Sequence, residues 1–201
     1  MSGVHAAPFV QPSSFEFTAE SMEQVNKHIA KYPETRQQSA VMPLLDIAQR
    51  QNGGWLPEAA IRVIGEMLSM PYIRVYEVAT FYTMYNLAPV GRHFVQVCTT
   101  TPCWLRGSDQ VMEACRQSLG VRAGHTTEDG AFTLLEVECL GACVNAPMMQ
   151  IGDDYYEDLD ADSTKRILDD LRAGRTPAAG PQVDRVNAAP EGGPTTLKET
   201  A

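Results

Sequence analysis

Five cysteines are the residues of this 201-residue chain best suited to chemistry, and four of them fall into two close pairs. Cys98-Thr99-Thr100-Thr101-Pro102-Cys103 is a C-x4-C pair. Cys139-Leu140-Gly141-Ala142-Cys143 is a C-x3-C pair, 35 residues further on. Four thiolates in two pairs are the ligand set that two tetrahedral irons of a [2Fe–2S] cluster need. Such loops should be short, with small and hydroxyl-bearing residues that offer N–H and O–H donors to sulfur; Thr99, Thr100, Thr101, Gly141 and Ala142 suit that. A structural zinc ion also takes four thiolates, although C-x2-C knuckles are its commonest loops and both loops here are longer. Two further readings stay open: disulfide or thiol redox chemistry, and a set of unrelated buried cysteines acting as small hydrophobes. Neither a C-x-x-C spacing nor a lone reactive cysteine with a histidine partner is visible, which weighs against thiol catalysis.

The fifth cysteine reads differently. Cys115 stands at helical spacing with Val111, Met112 and Leu119, so it is expected in a core. His28, His93 and His125 share no metal-ligand spacing and receive no role. Asp153, Asp154, Glu157, Asp158, Asp160 and Asp162 crowd six acids into ten residues. A solvated face is the simpler reading. The alternative is electrostatic: negative charge near a cluster disfavours adding an electron.

Each cysteine pair begins at the end of an expected strand. His93 to Cys98 carries Phe94, Val95 and Val97, and Phe132 to Val137 is a second β-forming run. Between them a helix bears Val111, Met112, Cys115 and Leu119 on one face and stops at Gly120. Pro147 introduces a third strand through Met148 to Ile151, Gly152-Asp153-Asp154 turns, and Tyr155-Tyr156 begins a fourth. Ser163 is the expected cap of a last helix with Ile167, Leu168 and Leu171. The order β-α-β, hairpin, α matches a thioredoxin-like α/β layer fold. In that fold the two strand ends should be neighbours at one edge of the sheet, so that four thiolates converge.

Residues 18–88 have another character. Met22, Val25 and Ile29 form an apolar stripe with Thr18 or Ser21 as its cap, and Pro33 breaks that helix. Val41, Leu44, Leu45 and Ala48 form a second stripe, ended by Asn52-Gly53-Gly54. Pro57 fits the first turn of a third helix with Ile61, Ile64 and Leu68 inward, closed by Pro71. Val75, Val78, Ala79 and Tyr82 give a fourth stripe, and its aromatic residues read as core. The whole is α+β: an arm over 1–17, a helical bundle over 18–88, a thioredoxin-like α/β domain over 89–173, and an extended C-terminal tail over 174–201. The tail holds four Pro and four Gly in 28 residues, too little apolar periodicity for its own core.

Composition narrows the function. The chain is 44% hydrophobic and 20% charged, as soluble globular proteins are. No apolar run approaches the roughly 18–20 residues of a spanning helix, so no membrane insertion is expected. The first 25 residues hold no Lys or Arg, and neither a secretory signal nor an Arg-rich presequence is read there. Net charge is −9, and residues 91–173 carry 14 acids against 7 bases. Nucleic acid is not expected as a partner, since phosphate binding needs a basic patch.

With these residues in view, the chain resembles the family of small [2Fe–2S] subunits of the NADH-dehydrogenase module of respiratory complex I. Gly54-Trp55-Leu56-Pro57 resembles the family's second-to-third helix junction, and Val75-Tyr76-Glu77-Val78-Ala79-Thr80-Phe81-Tyr82-Thr83-Met84-Tyr85 its signature helix. Cys98-Thr99-Thr100-Thr101-Pro102-Cys103-Trp104 and Glu138-Cys139-Leu140-Gly141-Ala142-Cys143 resemble its two cluster loops. Gly180-Pro181-Gln182 and Glu191-Gly192-Gly193-Pro194-Thr195-Thr196-Leu197 are similar to the extended C-terminus of alphaproteobacterial and mitochondrial members.

The resemblance implies one [2Fe–2S] cluster on Cys98, Cys103, Cys139 and Cys143. It implies docking to a larger flavoprotein that binds FMN and NADH, among the other peripheral-arm subunits. It implies electron transfer within NADH-quinone oxidoreductase, a proton-translocating enzyme, with no turnover by this chain alone and no catalytic residue in it. The location that follows is the inner face of a bacterial cytoplasmic membrane, reached through the complex, or the matrix side for a mature mitochondrial form. Thioredoxin-like folds that this one resembles often carry a cis-proline at the place of Pro147, and the apolar-poor tail, 174–201, is expected to order only on the assembled complex. The alternatives are the equivalent small subunit of an NAD-linked hydrogenase or formate dehydrogenase, a zinc-stabilised interaction module, and a free ferredoxin shuttle.

Overall fold

The computed structural model describes residues 8–185, 192–193 and 196. The chain divides into two compact units between Arg92 and His93. Among the described residues no helix is long and apolar enough to cross a membrane.

The first unit is helical: α1 (Ala19–Ile29), a 3₁₀ segment (Glu34–Ala40), α2 (Val41–Gln51), α3 (Glu58–Met67) and α4 (Tyr72–Phe81). Thr18 is the cap of α1, its hydroxyl accepting the Ser21 N–H at 3.2 Å. That satisfies one of the amides a helix start leaves free. Pro57 and Pro71 stand just before α3 and α4 rather than within them. The expected stripes are the core: Val25, Leu44, Leu45, Ile61, Ile64 and Val75 are all fully buried. Each such side chain contributes about 1.5–3 kcal/mol of burial free energy. The Tyr85 hydroxyl closes the bundle by donating to the Met42 carbonyl at 2.9 Å, and burial holds its phenol above the ordinary range. Asn86 and Gln49 fasten the Gly54-Trp55-Leu56 junction. The Asn86 amide donates to the Gly54 carbonyl at 2.9 Å, and the Gln49 amide to the Met84 carbonyl at 2.9 Å.

The fourth stripe differs from its expected form. α4 ends at Phe81, so Tyr82 lies past the helix and is exposed, as are Phe81, Met84 and Ile73. A side chain beyond the last turn no longer follows the 3.6-residue period that put Val75 and Ala79 inside.

The second unit is built, among the described residues, on a six-stranded sheet in the order β2-β3-β1-β4-β5-β6. Its strands are β1 (His93–Cys98), β2 (His125–Thr126), β3 (Phe132–Val137), β4 (Met149–Ile151), β5 (Asp154–Glu157) and β6 (Gly180–Pro181). Its helices are α5 (Thr101–Leu105), α6 (Ser108–Leu119) and α7 (Ala161–Arg172). β1 and β3 run parallel and are joined by a crossover through α6; β4 and β5 form the antiparallel hairpin. Val95, Val97, Leu134, Met149, Ile167 and Leu168 pack in one core with Cys115, which is fully buried as its helical spacing required. Burial pushes the Cys115 thiol up to about 12.

Three elements depart from the expected list. α5 places Cys103 on a short helix, β2 is a two-residue edge strand, and β6 comes from the region read as tail. Gly180–Pro181 pairs with Tyr156–Glu157, so the first part of that region is held by the sheet. Residues 186–191, 194–195 and 197–201 lie outside the described residues, and with them the rest of the tail expectation. The cap of α7 is Asp160, not Ser163. The Asp160 carboxylate accepts the Ser163 N–H at 2.7 Å while the Ser163 hydroxyl accepts the Asp160 N–H at 2.9 Å, a reciprocal capping box. The Ala146–Pro147 bond is cis.

Candidate metal centre

Parallel pairing of β1 and β3 brings the two cysteine loops together. Cys98, the last residue of β1, stands opposite Val137, the last residue of β3. Both loops therefore leave the same end of the sheet, from interior strands rather than from its edge. The Thr99 N–H donates to the Val137 carbonyl at 3.4 Å, and the Cys98 N–H to the Met148 carbonyl at 3.2 Å.

Cys98 and Cys103 lie in one small buried cluster with Ala146 and Met148. Cys139 and Cys143 are exposed, their sulfurs 3.3 Å apart. The pairs are within electrostatic reach of each other: Cys143 acts on Cys103, and Cys98 acts on both Cys103 and Cys143. The four thiols singled out by spacing are thus brought together, and Cys115 is kept apart in the core. Among the described residues, no three His, Cys, Asp or Glu side chains close around one ion position; the thiols stand as two facing pairs.

Donors accompany the sulfurs. The Gly141 N–H donates to Cys139 Sγ at 3.4 Å, from a residue at φ +87° that favours glycine. The Thr100 hydroxyl lies 3.3 Å from Cys98 Sγ. In the metal-free thiol state Cys139, Cys143 and Cys103 are unequal. The Gly141 amide, then Cys143, draw the Cys139 thiol below its ordinary range. The hydrogen bond to Cys139 lifts Cys143. Burial, reinforced by Cys98, pushes Cys103 up to about 12. A metal that binds such a set must displace the remaining protons. Paired thiols, two of them buried, with hydroxyl and amide donors on sulfur, fit a [2Fe–2S] cluster held between two loops.

The acidic run is only partly the solvated face its composition suggested. The Glu157 carboxylate accepts the Asn145 amide at 2.7 Å, Asp158 pairs with Arg185 at 2.8 Å, and Asp160 caps α7. Sequence reasoning missed Asn145, Tyr155 and Arg185, which brace the second loop; nothing in their local spacing announces that role.

Residues 25–172 match the sequence model of the thioredoxin-like [2Fe-2S] ferredoxin family, and the chain belongs to that family. Among its relatives, the E subunit of NADH-quinone oxidoreductase from Rickettsia conorii (strain ATCC VR-613 / Malish 7) is 59% identical over 160 residues. That alignment covers 80% of this chain and 96% of the relative. The mitochondrial NADH dehydrogenase [ubiquinone] flavoprotein 2 of Dictyostelium discoideum is 51% identical over 185 residues, covering 92% of this chain and 75% of the relative. A chain of a solved NAD+-reducing [NiFe]-hydrogenase superposes with a TM-score of 0.57 at 19% identity, over 65% of this chain and 23% of that one, and so shares its fold.

Proposed function

We propose that the chain is an electron-transfer subunit of an NADH-quinone oxidoreductase, holding one [2Fe–2S] cluster on Cys98, Cys103, Cys139 and Cys143. The observation that carries this reading is the meeting of two thiol pairs where β1 and β3 end side by side. The names of relatives that span most of the chain support the enzyme to which it belongs. When bound, the cluster supplies reversible one-electron transfer.

The residues of this chain hold and orient that group. Cys98 and Cys103 form the buried wall of the site, shielded from water by Ala146 and Met148. Cys139 and Cys143 form the exposed wall, where a redox partner can come close. Thr100 and Gly141 aim an O–H and an N–H at sulfur, which stabilises added negative charge. No residue here is assigned to hydride chemistry. In this reading FMN and NADH belong to a flavoprotein partner, and hydride transfer is the flavin's own chemistry. Docking to that partner and to the other peripheral subunits is assigned to the helical unit, where α4 and the residues after it leave Ile73, Phe81, Tyr82 and Met84 exposed. The chain then sits on the inner face of the cytoplasmic membrane through the complex, or on the matrix side in a mitochondrion.

Iron and acid-labile sulfide analysis on anaerobically purified protein, with EPR before and after dithionite, tests the proposal. About two irons and two sulfides per chain, with an S = 1/2 signal only after reduction, is the expected result. Cys139→Ala should abolish that signal and Cys115→Ala should keep it. Stoichiometric zinc, with no visible absorbance and no signal after anaerobic reconstitution, would refute the electron-transfer role.

A further inference from the structure

We propose that Arg185 is a positioning residue: it straps the segment after α7 across the second cysteine loop and holds Cys139 and Cys143 in register with Cys98 and Cys103. The proposal rests on the cluster reading above.

Cys139 and Cys143 are exposed, so burial of their sulfurs does not set the shape of the loop that carries them. The side chain after Cys143 helps little, since Val144 is 75% exposed. Leu140 and Ala142 of the loop pack against the buried Cys98, Cys103, Ala146 and Met148 cluster, and hydrogen bonds from outside the loop add to that hold. The Tyr155 hydroxyl donates to the Leu140 carbonyl at 2.8 Å. Asn145 is tied twice to the end of β5: its amide donates to Glu157 at 2.7 Å, and its carbonyl accepts the Asp158 N–H at 2.8 Å.

Arg185 completes this brace from 41 residues past Val144. One nitrogen, Nη1, donates to the Val144 carbonyl at 3.4 Å and to Asp158 Oδ1 at 2.8 Å. The Asp158 side chain is only 9% exposed, and its other oxygen, Oδ2, is buried with no hydrogen-bond partner. Arg185 is therefore the cation that offsets this buried carboxylate, and removing it leaves an uncompensated charge beneath the loop. The segment arrives there in a fixed register. β6 pairs with β5, and the Gln182 N–H donates to the Glu157 carbonyl at 2.9 Å. The strap thus has an anchor on the sheet and a fastening on the loop.

The test uses the full chain, reconstituted with iron and sulfide, as wild type and as Arg185→Ala, Arg185→Gln, Arg185→Lys and Asp158→Asn. Cluster loss to an iron chelator is followed by visible absorbance, and each reduced protein is examined by EPR. Arg185→Ala should lose its cluster about tenfold faster, as expected for one hydrogen bond between charged groups, and its EPR signal should shift or broaden. Arg185→Lys keeps the charge opposite Asp158, and should restore most of the rate and spectrum. Arg185→Gln keeps a donor without the charge, and should resemble Arg185→Ala. Asp158→Asn places a residue that tolerates the φ of +52° at this position; in its background Arg185→Ala should cost less than in wild type, because only the Val144 bond is then lost. Wild-type rate and spectrum in Arg185→Ala, or a defect that Lys does not repair, would overturn the strap while leaving the cluster intact. A wild-type chain that takes up no iron and sulfide would overturn the cluster reading itself.

Discussion

Replacing Thr100 by Val should make the cluster harder to reduce. The Thr100 oxygen lies 3.3 Å from Cys98 Sγ. A metal-bound thiolate has no proton to give, so in the loaded protein the hydroxyl must be the donor. Val keeps the β-branched shape and removes only that donor. The residue precedes α5 in an extended conformation and makes no side-chain capping bond, so the helix start is not weakened. A hydrogen bond to a charged acceptor contributes about 1.5–3 kcal/mol. Only the part that differs between oxidised and reduced states moves the potential. Reduction adds negative charge to the sulfurs, so the bond is stronger in the reduced form. A difference of about 1 kcal/mol corresponds to roughly 40 mV for one electron. The midpoint potential of Thr100→Val should therefore fall by about that amount in an EPR-monitored redox titration, with Thr101→Val, an exposed neighbour, as the control. A potential that stays within about 10 mV of wild type, or rises, would refute the assignment of Thr100 as a donor to the cluster.

Two further outcomes concern the scaffold. A Cβ at Gly65 would lie 2.9 Å from the Met70 carbonyl oxygen, at the turn between α3 and α4; Gly65→Ala should destabilise the helical unit by about 1–3 kcal/mol, read by urea unfolding from Trp55 fluorescence in a Trp104→Phe background. Asp160→Ala removes the cap of α7 and should cost about 1 kcal/mol at neutral pH. Because Ser163 bonds hold the Asp160 carboxyl below its ordinary value, that stabilisation is present above the unfolded pKa of about 3.9 and disappears as pH falls through the lower folded value. Wild type and variant should accordingly converge in acid when their urea midpoints are compared across pH.

Local pattern was readable where side chains alternate or recur over several residues. β1 and β3 were legible with their bounds, because Phe94-Val95-Gln96-Val97 and Phe132-Thr133-Leu134-Leu135 are dense in strand-forming residues. The stripes of α1 to α3 were legible because each spans about three turns, long enough to show a period. β2 and β6 have two residues each and show no period; they exist only because a neighbouring strand offers hydrogen bonds. α5 is five residues long and contains Pro102 near its start, which read as loop. At α7 both Asp160 and Ser163 are good caps, and only the backbone reveals that Asp160 stands outside the helix. Tyr82 read as core because the period was carried one residue past the point where α4 ends.

The residues alone determined the chemistry on offer: four thiols in two short loops, with hydroxyl and glycine neighbours, placed at the ends of two strands, and a fifth cysteine on the apolar face of a helix. Thiolate ligands must come from cysteines, and strand and helix periods follow from backbone geometry, so both are written locally. Tertiary structure decided which sulfurs meet and how unequal they are. The parallel register of Cys98 against Val137 makes neighbours of loops that are 35 residues apart. Burial of Cys98 and Cys103 against exposure of Cys139 and Cys143 gives the site an inner and an outer wall. Arg185 reaches Asp158 and Val144 only because β6 returns along β5. Such contacts depend on strand pairing across long stretches of chain, and no short window of sequence contains both partners.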